Sequence, residues 1–137
     1  MSDKYQVILI SHNKLAEGIL SAAKMIAGDQ IEAKAYGLMP GENPQDKVKQ
    51  IEKELDPEAH TLILADLFGG SMANAAIPLS VKDNVRLITG LNLALALQVI
   101  LEHPWSDAEI EKTIGRAQEN IQEVKVDAKA DEDESFF

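Results

Sequence analysis

The sequence predicts an α/β domain, an open doubly wound and mostly parallel sheet with helices on both faces and a C-terminal edge strand. Two observations carry this. Short apolar runs rich in β-branched residues, YQVILIS at 5–11 and HTLILA at 60–65, read as strands covered on both sides. Segments with helical spacing of apolar residues separate them, and such alternation is the signature of a sheet wound by crossover helices.

The elements follow in order. After the first run, Leu15, Ile19, Ala22, Ala23 and Ile26 fall on one helical face, and Gly28 supplies a stop. Asn13 stands before that helix as a candidate cap. IEAKAYG at 31–37 alternates like a half-exposed strand. LMPGEN is a loop, and a polar helix over about 44–55 turns Val48, Ile51 and Leu55 inward, with Pro44 in its first turn. A small-residue helix starts at Ser71 and ends or bends near Pro78. VRLIT at 85–89 is a strand. LALALQVIL fits a strand or a helix by period, and its length and helix-forming residues favour a helix. Ser106 and Glu109 form a capping-box pair that opens a helix to about 119. IQEVKV at 121–126 alternates like an edge strand.

The chain of 137 residues, 45% hydrophobic, is the size of one domain. Residues 1–126 form that domain, and 127–137 read as an acidic, solvated tail. The absence of cysteine excludes thiolate nucleophiles and Cys-based metal sites. No metal or other cofactor is expected, because neither His60 nor His103 has a partner at ligand spacing; both read as structural or surface residues, and Trp105 as a core or interface anchor. A formal charge of -10 disfavours nucleic acid and anionic lipid and favours basic partner surfaces. No apolar run is long enough for a membrane span, and the simplest expected location is the cytoplasm.

Ligands of open α/β sheets bind beyond the carboxyl ends of the strands. There the sequence gathers His12, Asn13, Asp66, Gly69, Gly70 and Ser71. Neutral imidazole is a good nucleophile toward phosphorus at neutral pH. A carboxylate such as Asp66 on one ring nitrogen fixes the tautomer and leaves the other free to attack. Backbone N–H groups near Asn13 and around Gly69, Gly70 and Ser71, with the serine hydroxyl, suit an anion. No nucleotide P-loop or dinucleotide fingerprint is present. By residues alone, three readings stand: a phosphohistidine carrier, a non-catalytic interaction domain, and a small hydrolase or mutase that uses His12 covalently.

Three motifs in order, VILISHNKLAEGIL at 7–20, LADLFGGSMANAA at 64–76 and ITGLNLALALQ at 88–98, resemble the mannose-type IIA component of the bacterial phosphoenolpyruvate-dependent sugar phosphotransferase system. The resemblance covers almost the whole chain. It implies a phosphotransferase component that takes a phosphoryl group from HPr onto His12 as a covalent phosphohistidine. The group then passes to the IIB component, which serves the membrane IIC–IID transporter. It implies that Asp66 bonds the histidine ring and that Ser71 lies near the phosphoryl oxygens. It also implies a homodimer in which 121–126 is exchanged between sheets. The family motif usually continues DLFGGSP, an aromatic residue and Asn; Met72 and Ala73 depart from it, which is expected to alter the shape beside the site.

Overall fold

Strand β1, Tyr5–His12, shows why the chain folds as it does. Its apolar run leaves no face for water, so neighbours must cover both sides. In the computed structural model, which describes residues 4–126, β1 lies inside a four-stranded sheet. Its neighbours are β2, Lys34–Leu38, and β3, His60–Ala65; β4, Val85–Thr89, follows β3, giving the order β2-β1-β3-β4. All three pairings are parallel. Parallel neighbours need crossovers, and helices supply them. α1, Leu15–Ala27, leads to β2; α2, Pro44–Lys53, leads to β3; α3, Ser71–Ala76, with a 3-10 turn over Ile77–Val81, leads to β4. After β4 come α4, Leu93–Glu102, and α5, Asp107–Gln118.

The strand period of two sorts side chains into two cores. Val7, Leu9, Leu62 and Leu64 face α1, α4 and α5. Ile8, Ile10, Ile63 and Ala65 face α2 and α3. Each buried aliphatic side chain contributes roughly 1.5–3 kcal/mol against the entropy of ordering the chain. The open, doubly wound parallel sheet thus matches the predicted class.

Several boundaries differ. β2 starts at Lys34, three residues later than predicted, because Ile31 and Ala33 pack on the α1-side core instead of pairing. The helix predicted from Ser71 to about 79 tightens into the 3-10 turn around Pro78, which has no N–H to continue an α-helix. LALALQVIL is helical, as its length indicates. Asn43 caps α2 by accepting from the Gln45 and Asp46 N–H groups. The edge strand predicted over 121–126 is not formed within the chain. Those residues carry no strand pairing and are exposed. The predicted acidic tail lies outside the described residues.

The winding reverses between β1 and β3. From β1 the chain moves outward to β2, and from β3 it moves outward the other way to β4. That switch point falls at the carboxyl ends of β1 and β3, where open α/β sheets bind their ligands.

The capping box at α5 yields a measurable consequence. Ser106 Oγ accepts the Glu109 N–H, and Glu109 Oε1 accepts the Ser106 and Trp105 N–H groups. These backbone bonds hold the Glu109 carboxyl below its ordinary value of 4.5. Its contribution is therefore fully present above that value and is lost as pH falls through the lower folded-state value. Ser106→Ala should cost about 1 kcal/mol in urea unfolding at neutral pH. The stability gap between wild type and Glu109→Gln should shrink as unfolding is repeated toward pH 3, a titration range set by the ordinary carboxylate value.

Candidate active site

His12 ends β1, and Asp66 directly follows β3. The sheet register fixes their approach: the Asp66 N–H donates to the Ile10 carbonyl, 3.1 Å, extending the β1–β3 ladder past the last strand residue. Asp66 Oδ2 then accepts two bonds from the same residue. The His12 backbone N–H donates at 2.9 Å, and the His12 Nδ1 lies at 2.8 Å. An oxygen that already accepts a backbone N–H meets Nδ1 as an acceptor. Nδ1 is therefore the protonated nitrogen, and Nε2 carries the lone pair. Ser71 Oγ lies 3.0 Å from Nε2, where its hydroxyl donates to that lone pair. The imidazole is gripped at both nitrogens by the two ends of one connection, the β3–α3 turn from Asp66 to Ser71.

The exposure differs across the pair. The His12 side chain is 47% exposed, and Asp66 only 9%. The ring stands at the surface, while its carboxylate partner sits below. Asp66 Oδ1 is buried without a protein hydrogen-bond partner. Leu67 and Phe68, in the loop after Asp66, are exposed, Phe68 to 85%. The site is an open rim. A cavity of about 310 Å³ lined by Tyr5, Val7 and Lys34 lies at the opposite end of the sheet.

The glycine pair shapes the turn that carries Ser71. Gly69 has φ of +78°, a left-handed conformation that suits glycine. At Gly70 a Cβ would lie 3.3 Å from His12 Cε1 and 3.1 Å from the Leu67 carbonyl oxygen. Glycine there leaves the ring edge room. The Gly70 N–H donates to the Leu67 carbonyl and closes the turn, so it does not point free into the rim. Ser71 and Met72 open the first turn of α3, where backbone N–H groups have no partner within the helix.

Asn13 behaves differently from the sequence expectation. It adopts φ of +52°, and its N–H donates to the Leu38 carbonyl at 2.7 Å. That donor is spent within the protein. Asn13 does not cap α1 either; the N-cap position is Lys14, which makes no side-chain cap bond. Ser11, at the end of the predicted first strand but with no role in the predicted site, accepts the Ala16 N–H at 2.7 Å from a fully buried position. A serine in an otherwise apolar strand was the available signal, since a buried hydroxyl needs a partner.

His60 and His103 lie far from this rim. His60 stacks on Trp105 at 4.1 Å, and His103 on Tyr5 at 4.2 Å. The Tyr5 hydroxyl donates to the Pro104 carbonyl, and burial, its main cause, pushes its pKa far up. This aromatic cluster closes the amino end of the sheet.

With this geometry in view, comparison with known proteins is informative. The family model described as "PTS system fructose IIA component" matches residues 6–118. The chain belongs to this phosphotransferase-system IIA family. The sorbose-specific EIIA component of Lacticaseibacillus casei is 30% identical over 97 residues, 69% of this chain and 70% of that one. The mannose-specific EIIAB component of Escherichia coli K12 is 25% identical over 126 residues, 87% of this chain; the chain spans 39% of that longer relative. Among solved structures, the mannose/sorbose-specific IIA subunit from Enterococcus faecalis superposes with a TM-score of 0.80 at 28% identity, covering 90% of this chain and 97% of that one. The EIIA component from Streptococcus agalactiae gives 0.79 at 26% identity, covering 87% and 96%. Among the described residues no helix is long and apolar enough to cross a membrane.

For this IIA domain, the departures at 72 and 73 fall in an unexpected place. Met72 and Ala73 are buried on the α2-side core with Ile8, Ile10 and Ile63. They fill space beneath α3, and the exposed surface beside His12 comes from Leu67 and Phe68 instead.

The Asp66 bonds make a testable prediction. Asp66→Ala removes the acceptor of both His12 bonds, so nitrogen-resolved NMR should show His12 losing its single Nδ1–H tautomer. Urea unfolding should report a loss of about 1 kcal/mol, the usual net worth of a hydrogen bond whose donor water can still reach.

Proposed function

We propose that this protein is a phosphocarrier, taking a phosphoryl group from phospho-HPr on His12 and passing it to a IIB component during coupled sugar uptake and phosphorylation. The observation that carries the reading is the ring held at both nitrogens while half its surface stays open. A deep cleft would suit a small substrate. An open rim suits two protein partners arriving in turn, and family membership supplies their identity. The names of the relatives include mannose, sorbose and fructose, so the shared element is the relay rather than one sugar.

The chemistry runs in line. The Nε2 lone pair attacks the phosphorus of the donor phosphohistidine. The new N–P bond forms as the donor's N–P bond breaks, and the donor nitrogen recovers its electron pair. Nδ1 keeps its proton, so the phosphorylated ring carries positive charge beside the Asp66 carboxylate, which offsets it. The Ser71 hydroxyl releases Nε2 as the new bond forms and turns to a phosphoryl oxygen. Transfer to IIB reverses these roles. Asp66, Ser71 and the turn at Gly69 and Gly70 act in place, and no metal or organic cofactor enters the scheme.

Incubation with phosphoenolpyruvate, Enzyme I and HPr should place an acid-labile label on the chain, and the label should persist until IIB is added. Rapid loss of the label to water would point to a hydrolase. A His12→Ala variant that takes up label at the normal rate would falsify the assignment. Asp66→Asn keeps an acceptor for Nδ1 but removes the charge beside the ring, and should slow labelling about a hundredfold.

The same proposal includes a homodimer with residues 121–126 exchanged onto a partner's sheet. Ile121, Val124 and Val126 are all exposed, and among the described residues the outer edge of β4 pairs with no strand. Sedimentation should report a dimer for the full chain and a monomer when the chain is cut before Ile121. A monomeric full chain at micromolar concentration overturns it.

A further inference from the structure

The His12 ring direction depends on the backbone that follows it, and that backbone is in an unusual state. Asn13 holds φ of +52°, a left-handed conformation that asparagine takes more readily than other non-glycine residues. The peptide on each side of Asn13 is held separately. The N–H of the His12–Asn13 peptide donates to the Leu38 carbonyl on β2. The carbonyl of the Asn13–Lys14 peptide points at Gly37, the residue paired with Ser11 across the β1–β2 register. A Cβ on Gly37 would lie 2.0 Å from that oxygen and 3.1 Å from its carbon. Ser11 Oγ reaches the same oxygen at 3.5 Å while accepting the Ala16 N–H.

We propose that Gly37 and Ser11 are positioning residues for His12, fixing the Asn13 reversal so that the ring meets Asp66 and Ser71 together. For its rate effect this rests on the phosphocarrier reading. The sequence of constraints is continuous. The His12 N–H is fixed by Asp66, and the next peptide by Leu38. The peptide after that is wedged against the bare α-carbon of Gly37, with the Ser11 hydroxyl beside it. The backbone of His12 is thus held on both sides, and its ring is delivered between Asp66 and Ser71 at the two ends of the β3–α3 connection. Glycine at 37 is a close-approach residue: its φ is not in the left-handed region, so conformational freedom is not what is required of it. A methyl there displaces the Asn13 carbonyl by about an ångström, a shift that costs oriented reactions about a hundredfold.

The test uses the full chain, with nitrogen-resolved NMR of the His12 ring and the labelling assay read side by side. Gly37→Ala and Ser11→Ala should each convert the single Nδ1–H tautomer into a mixture and slow labelling, about a hundredfold for Gly37→Ala. Gly115→Ala, within α5 where a Cβ meets nothing within 4 Å, should leave the ring signals of wild type. A folded Gly37→Ala with wild-type ring signals and rate overturns the proposal, as does a Gly115→Ala that disturbs the ring equally. If Gly37→Ala does not fold, Ser11→Ala decides alone, and unchanged ring signals in it overturn the proposal. If wild type takes no label while the ring signals move in the two variants, the phosphocarrier reading fails and the positioning role stands.

Discussion

Asp66 Oδ2 receives the His12 backbone N–H and the His12 ring through a single oxygen. Through that atom the end of β1 and the end of β3 become one object. The strand ladder delivers Asp66 to its place, since its own N–H bonds the Ile10 carbonyl. The histidine's tautomer, its ring direction and its open nitrogen all follow from this contact. So does the role of Ser71, which finds Nε2 only because Nδ1 is already committed.

The two cores explain why this contact is rigid. Alternate residues of β1 and β3 are buried on opposite faces, so a slip of one residue would send every side chain into the other core, against helices packed for a different set. A site made from strand ends inherits that registry. The polar groups then need only short loops to reach each other. Met72 and Ala73 belong to this support: they fix the start of α3 from below, and α3 carries Ser71. The exposed Leu67 and Phe68 are a separate matter, being surface beside the ring rather than support for it.

An open rim with a ring held at both nitrogens suits the proposed relay. Orientation is built into the backbone, and little is left for the incoming partner to organise. Burial of Asp66 keeps its charge close to the ring and away from water, where a carboxylate acts most strongly on a positive neighbour. The amino end of the sheet is occupied instead by stacked rings around Trp105, which seal the domain where no loop chemistry is needed.

That His12, Asp66 and Ser71 meet at one rim was legible in the sequence because each stands at a boundary that local pattern marks: the end of an apolar run, or the start of a small-residue helix. The sheet class was legible for the same reason, since a strand apolar on both faces admits few neighbours. Gly37 looked like an ordinary strand-end glycine, and Ser11 like a polar break in β1. Their contacts run between segments far apart in sequence, which no period or spacing records. Asn13 read as a cap for α1, whereas the approach of β2 turned it left-handed and consumed its N–H. Residues 121–126 carry the alternation of a strand, yet a strand also requires an edge to pair with, and that is decided outside their own sequence. Which polar groups stand at the strand ends was set by local residue order; how His12, Asp66 and Ser71 meet was set by backbone packing across the sheet.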